Sequence, residues 1–120
     1  MGLNRLVAAI FGVVYLAAGI AGFVTGSDLL FGLFPVNAVH NVVHVVLGAI
    51  LLWGMMSTAN AVMANRWVGV LLLVLGVLGI FVDNPLNLVP IGGNDIWLHL
   101  ASGAILAGVS FMSEREMATA

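Results

Sequence analysis

Two stretches decide how this chain is read: Ala38–Leu51, AVHNVVHVVLGAIL, and Gly93–Leu106, GNDIWLHLASGAIL. Each is an apolar run with a histidine inside it, and His44 and His99 hold the same place in the two. The run Gly48-Ala49-Ile50-Leu51 returns as Gly103-Ala104-Ile105-Leu106. Working upstream, Pro35, Leu33 and Asp28 return as Pro90, Leu88 and Asp83, all at one fixed offset. Gly12, Val13, Gly19 and Gly22 return as Gly69, Val70, Gly76 and Gly79 at an offset two residues longer. Apolar segments share Leu, Val and Gly by chance. They do not by chance share an aspartate, a proline and a histidine in one register. The pattern predicts a tandem duplication, with one unit over about residues 5–56 and the other over about 62–112 of a single 1–120 domain.

The chain is 62% hydrophobic and 7% charged, with a mean hydropathy of +1.21. A soluble domain carries roughly 25% charged residues, so the polar surface here is too small to cover a water-exposed globule. Four apolar segments approach the roughly 20 residues that cross a bilayer core as a helix: about Leu6–Thr25, Val36–Met56, Val62–Val82 and Ile96–Met112. Nothing alternates with the period of two that a closed barrel requires. The first segment, led by Arg5, has some features of a signal peptide, but its counterpart in the repeat marks it as a transmembrane helix. The expected fold is all-α: a transmembrane four-helix bundle of two tandem helical hairpins related by a parallel repeat.

Net charge is −2 with three scattered basic residues, which excludes nucleic acid as a partner and leaves the lipid bilayer. The absence of cysteine excludes disulfides and thiol chemistry. Arg5, Arg66 and Arg115 fall on one side of the four spans, and Asp28, Asp83 and Asp95 on the other. The positive-inside bias then predicts a multi-pass protein of the cytoplasmic (inner) membrane with both termini in the cytoplasm. Trp53 and Trp67 fall at the inner interface and Trp97 at the outer one, where indole rings favour the headgroup level.

In lipid, helices associate through close packing at small residues. Gly12, Gly19 and Gly26, and likewise Gly69 and Gly76, predict seams on the first and third helices, and Ala104 with Gly108, and Gly103 with Ala107 beside them, are offered on the fourth. The Tyr15 hydroxyl is expected on a neighbouring carbonyl. Asn37 is a candidate cap for the second helix, and Asn94 or Asp95 for the fourth. The apolar loops, Ser27–Val36 and Asp83–Asn94, are expected to fold over the outer end as a lid.

The chemistry concentrates in one place. His40 and His44 stand four apart on one helix face, and the repeat puts Asp95 and His99 at the same positions. Polar groups in membrane spans face a bundle interior or cavity rather than lipid. Three readings follow from these residues. The imidazoles and Asp95 form a hydrogen-bonded interhelical clasp. Alternatively, His40, His44, Asp95 and His99 bind one divalent metal, such as zinc. In the third, His44 and His99 are axial ligands of a haem or chlorin, with Gly48 and Gly103 making room for the macrocycle. That reading makes the protein an accessory subunit of a larger electron-transfer or light-harvesting complex. A homo-oligomer or larger membrane complex fits a small chain with short loops. No nucleophile–base pair is visible, Ser102 and Ser110 read as packing residues, and no enzymatic activity is expected. The inner half of each helix reads as uniformly apolar, which argues against a conduction path.

Phe34-Pro35-Val36-Asn37, the run His40-Asn41-Val42-Val43-His44, and Asp95-Ile96-Trp97-Leu98-His99 together resemble a bacterial family of small four-span membrane proteins. That family is known as domain of unknown function 4383. The resemblance runs from Arg5 to about Met112. It implies a tetraspan inner-membrane protein with those histidines and Asp95 as signature positions, and it implies no activity.

Overall fold

The computed structural model describes residues 2–26 and 29–112. Asp28 and Arg115, which carry part of the expected charge asymmetry, lie outside the described residues. Four helices form a bundle: α1 (Leu3–Thr25), α2 (Ala38–Gly54), α3 (Thr58–Phe81) and α4 (Asp95–Met112). α1, α3 and α4 are long and apolar enough to cross a membrane, whereas α2 is shorter at 17 residues. Their ends follow local chemistry. Asn37 accepts a hydrogen bond from the His40 amide at 2.8 Å and caps α2 as expected. Ser57 caps α3 through the Asn60 amide. α1 ends at Gly26 in the left-handed conformation. Gly26 is therefore a helix stop rather than the third member of a packing seam.

α1 lies along α2 and α3 along α4, so each hairpin is a tightly packed unit. Glycines set the separation. A methyl group added at Gly48 would sit 2.5 Å from the Leu16 nitrogen, and one at Gly103 2.8 Å from the Leu73 nitrogen. Gly12 faces Leu52 as Gly69 faces Ala107, and Gly19 faces Val45 as Gly76 faces Leu100. These pairs follow the register of the sequence repeat. On α4, of the two small-residue pairs expected, Gly103 and Ala107 are the ones that pack. Ala104 is exposed and Gly108 has open space beside it, because the helix turns that face away from α3.

The loops over the far end also correspond. In the first, β1 (Leu29–Leu30) pairs antiparallel with β2 (Phe34–Pro35). In the second, Pro85–Asn87 form a 3-10 turn. Both reverse through two consecutive left-handed residues, Phe31-Gly32 and Leu86-Asn87, at the offset of the repeat. Asn37 Nδ2 donates to the Leu88 carbonyl and Asn94 Nδ2 to the Leu33 carbonyl, each at 2.8 Å, which ties each loop to the helix beyond the other. Leu30, Val36 and Ile91 are buried beneath. The expected lid is therefore present, stitched by two asparagines.

The bundle's middle is apolar, with Leu51, Leu72 and Leu106 fully buried. The end nearest the N-terminus is not. Asn65 Nδ2 donates to the Asn4 carbonyl (2.9 Å) and side-chain oxygen (3.1 Å), joining α1 to α3 across a bundle diagonal, with both residues fully buried. Arg5 Nε donates to the Met55 carbonyl at 2.7 Å just past α2, and Arg66 to the Ser110 carbonyl of α4 at 3.0 Å. Each guanidinium thus meets the negative end of a helix dipole. The expectation of uniformly apolar inner halves is corrected here: α1 and α3 begin earlier than their apolar cores, and the first turns bring polar residues inside.

Two outcomes follow. Gly48→Ala should destabilise the bundle by about 1–3 kcal/mol through overpacking, while Gly108→Ala should be neutral, as measured by unfolding in detergent. Asn65→Ala should cost about 0.6–2 kcal/mol in the same assay.

Candidate metal centre between two diagonal helices

α2 and α4 lie across the other diagonal of the bundle and meet there through side chains. His40 and His44 point inward one turn apart on α2, with ring centroids 4.3 Å apart. His99 projects from α4, with its ring 6.0 Å from that of His40 and 6.4 Å from that of His44. One ligand-type nitrogen from each of the three lies within 4.8 Å of the others. His40 and His44 are each 2% exposed, His99 1% and Asp95 0%. The four residues singled out in the sequence are all buried at one level, and three of them form the compact group.

Asp95 stands beside that group rather than in it. Its Oδ2 lies 3.5 Å from His40 Nε2. It does not cap α4, since neither carboxylate oxygen has a hydrogen-bond partner among the described residues. Nor does the side-chain oxygen of Asn94, which accepts from the Trp97 indole at 3.2 Å. The backbones of Pro35 and Pro90, equivalent in the repeat, both abut the His40 imidazole. Tyr15 from α1 closes the site on the inner side, its ring edge-on to His44 at 5.3 Å. Its hydroxyl faces Ser102 of α4 rather than the expected carbonyl.

The hydrogen bonding sets the three readings apart. Among the described residues, both ring nitrogens of His44 lack a hydrogen-bond partner, as do Nδ1 of His40 and of His99. A clasp is held by hydrogen bonds between its members, and these members do not make them. A buried polar atom left unpaired costs about 1–3 kcal/mol, so the cluster is a poor structural device and a good set of free donors. The macrocycle reading meets a different obstacle. The glycines beneath the histidines face Leu16 of α1 and Leu73 of α3, whose backbones fill the space a porphyrin edge would need.

Fold and site together define a helical membrane-type bundle with a buried three-histidine cluster capable of holding a metal. The chain belongs to the family described as domain of unknown function (DUF4383), which it matches over residues 5–112. No curated protein and no solved structure matches it.

The orphaned imidazole yields a direct expectation. His44→Leu should leave the metal-free protein as stable as the parent or more so, by up to about 1–3 kcal/mol. A clear loss of thermal stability without metal would restore the clasp reading.

Proposed function

We propose that the protein is a multi-pass membrane protein whose buried histidine cluster binds one divalent metal ion, zinc by ligand type, with His40, His44 and His99 as the protein ligands. The observation that carries this reading is His44: 2% exposed, without a hydrogen-bond partner at either nitrogen among the described residues, and within reach of two further imidazoles. Zinc–imidazole bonds of about 2.0–2.1 Å place ligand nitrogens about 3.4 Å apart in a tetrahedron. The present group spans up to 4.8 Å, so the rings must draw together on an ion. Asp95 then acts on the far nitrogen of His40. Its Oδ2, 3.5 Å from Nε2, lies close enough to hydrogen-bond that nitrogen once the ion draws the ring in through Nδ1, as in the carboxylate–histidine–metal arrangement.

A recess lies at the loop end, above this place. A cavity of about 460 Å³ there is lined by Pro35, Pro90, Asp83 and Asn84. The two prolines are those whose backbones touch His40. Asp83 supplies the negative charge that favours a cation at the mouth.

The membrane setting and orientation belong to the same reading. Arg5 and Arg66 sit at one end of the bundle and Asp83 and Asp95 at the other, which supports a bacterial cytoplasmic membrane with both termini inside. In that setting α2 is a fourth, shorter span, and the metal lies in the outer leaflet half. The matched glycine contacts and the paired left-handed turns support descent of the two hairpins from one duplicated unit.

The test is metal content and affinity after purification in detergent, by elemental analysis and competition with a zinc chelator dye. The parent should bind one zinc per chain, and His44→Ala should abolish stoichiometric loading. Asp95→Asn should retain the stoichiometry with affinity lowered about 10- to 100-fold. A parent that takes up no stoichiometric divalent metal contradicts the proposal.

A further inference from the structure

The three imidazoles of the cluster do not belong to one hairpin. His40 and His44 stand on α2, in the first, and His99 on α4, in the second. The cluster therefore exists only where the two hairpins are held together, and the two ends of the bundle hold them differently. At the end nearest the N-terminus they pack closely. A methyl group added at Gly54 of α2 would sit 2.8 Å from the Ala64 Cβ and 3.3 Å from the Asn60 carbonyl oxygen of α3. The Asn65–Asn4 hydrogen bonds lie at this same end, where α2 runs into α3 through Met55-Met56-Ser57. At the level of the cluster the glycines serve their own hairpins instead, Gly19 against Val45 and Gly76 against Leu100. Across the hairpins there, the His99 ring stands 6.0 Å from His40 and 6.4 Å from His44, and the lid above adds two exposed asparagine hydrogen bonds.

Docking without an ion is costly at this end. It encloses four imidazole nitrogens and both Asp95 oxygens that have no hydrogen-bond partner among the described residues, and buried polar atoms are destabilising unless paired. Parting the lid ends of the hairpins lets water reach the same atoms. An ion reverses the balance. The three-imidazole site is complete only in the docked form, since the first hairpin alone offers two of these ligands and the second one. A ligand that prefers one of two states draws the protein into it by the ratio of its two affinities. We propose that the ion fastens the hairpins to each other: its binding docks α2 against α4 at the lid end, and its removal lets them part about the Gly54–Ala64 end. This rests on the metal-binding reading above and gives the ion a conformational task.

The chain has no cysteine, so spin labels can be placed one pair at a time. In the full chain in lipid nanodiscs, labels at Val42→Cys on α2 and Ala101→Cys on α4, both exposed positions, read the level of the cluster. Labels at Leu6→Cys on α1 and Met63→Cys on α3 read the other end. Double electron–electron resonance on zinc-loaded protein should give a narrow distance distribution for each pair. After chelation the first distribution should broaden and move to longer distance, and zinc added back should restore it, while the second stays in place. His99→Ala leaves zinc no imidazole on the second hairpin, so the Val42 and Ala101 labels should read the same with zinc as without. Zinc content is measured on the same labelled samples. One zinc per chain with no change between the loaded and stripped states would overturn the fastener and leave the metal site standing. An equal change at both ends would also overturn it, by showing a general loosening of the bundle. Failure to take up zinc would remove the metal site and the fastener together.

Discussion

Three imidazoles and a carboxylate are enclosed at one end of a bundle whose middle is apolar, and the rest of the structure is arranged around that burial. Lipid cannot solvate these side chains, so they must face inward, and helices of this kind need another reason to approach. Glycines supply it within each hairpin, at Gly12, Gly19 and Gly48 in one and Gly69, Gly76 and Gly103 in the other. Between the hairpins, a hydrogen-bonded pair joins one diagonal, while on the other the buried rings only lie close to one another. At one end Asn65 reaches Asn4, and at the other the histidines of α2 meet His99 and Asp95 of α4. The apolar layer of Leu51, Leu72 and Leu106 stands between them. Such a layer gives a proton or ion no polar stepping stones through the middle of the chain, which supports a binding role over conduction.

The loops matter because they decide what reaches the cluster. The lid is short, yet two reciprocal asparagine bonds tie each loop to the helix beyond the other. Pro35 and Pro90 are thereby held against His40, below an acidic mouth. On the lipid side, the alanine face of α1 leaves a crevice reaching His44.

Much of this architecture is legible in the sequence because the signals are strong and local. Apolar length marks the helices, and the i, i+4 spacing puts His40 and His44 on one face. The matching register of His99 predicts their meeting with α4. What the sequence does not disclose is which partner each small residue meets. Gly48 and Gly103 stand beneath the histidines, but their open faces turn to α1 and α3 rather than toward a cofactor. Asn4 and Asn65 are ordinary helix-terminal polar residues by pattern, and only the diagonal approach of α1 and α3 makes them a buried pair. The apolar run could have raised this suspicion, since Asn65 and Arg66 interrupt the stretch that begins at Ala61. Asp95 likewise carries the mark of a helix cap, yet it starts the helix with its carboxylate turned inward to His40.

X-ray absorption at the zinc edge of the metal-loaded protein in lipid tests the central claim most directly, because it reports the ligands of the ion itself. The account predicts a first shell dominated by about three imidazole nitrogens at about 2.0–2.1 Å, with the outer-shell scattering that imidazole rings produce. A shell of oxygens alone, or an ion bound without any histidine signature, would contradict it.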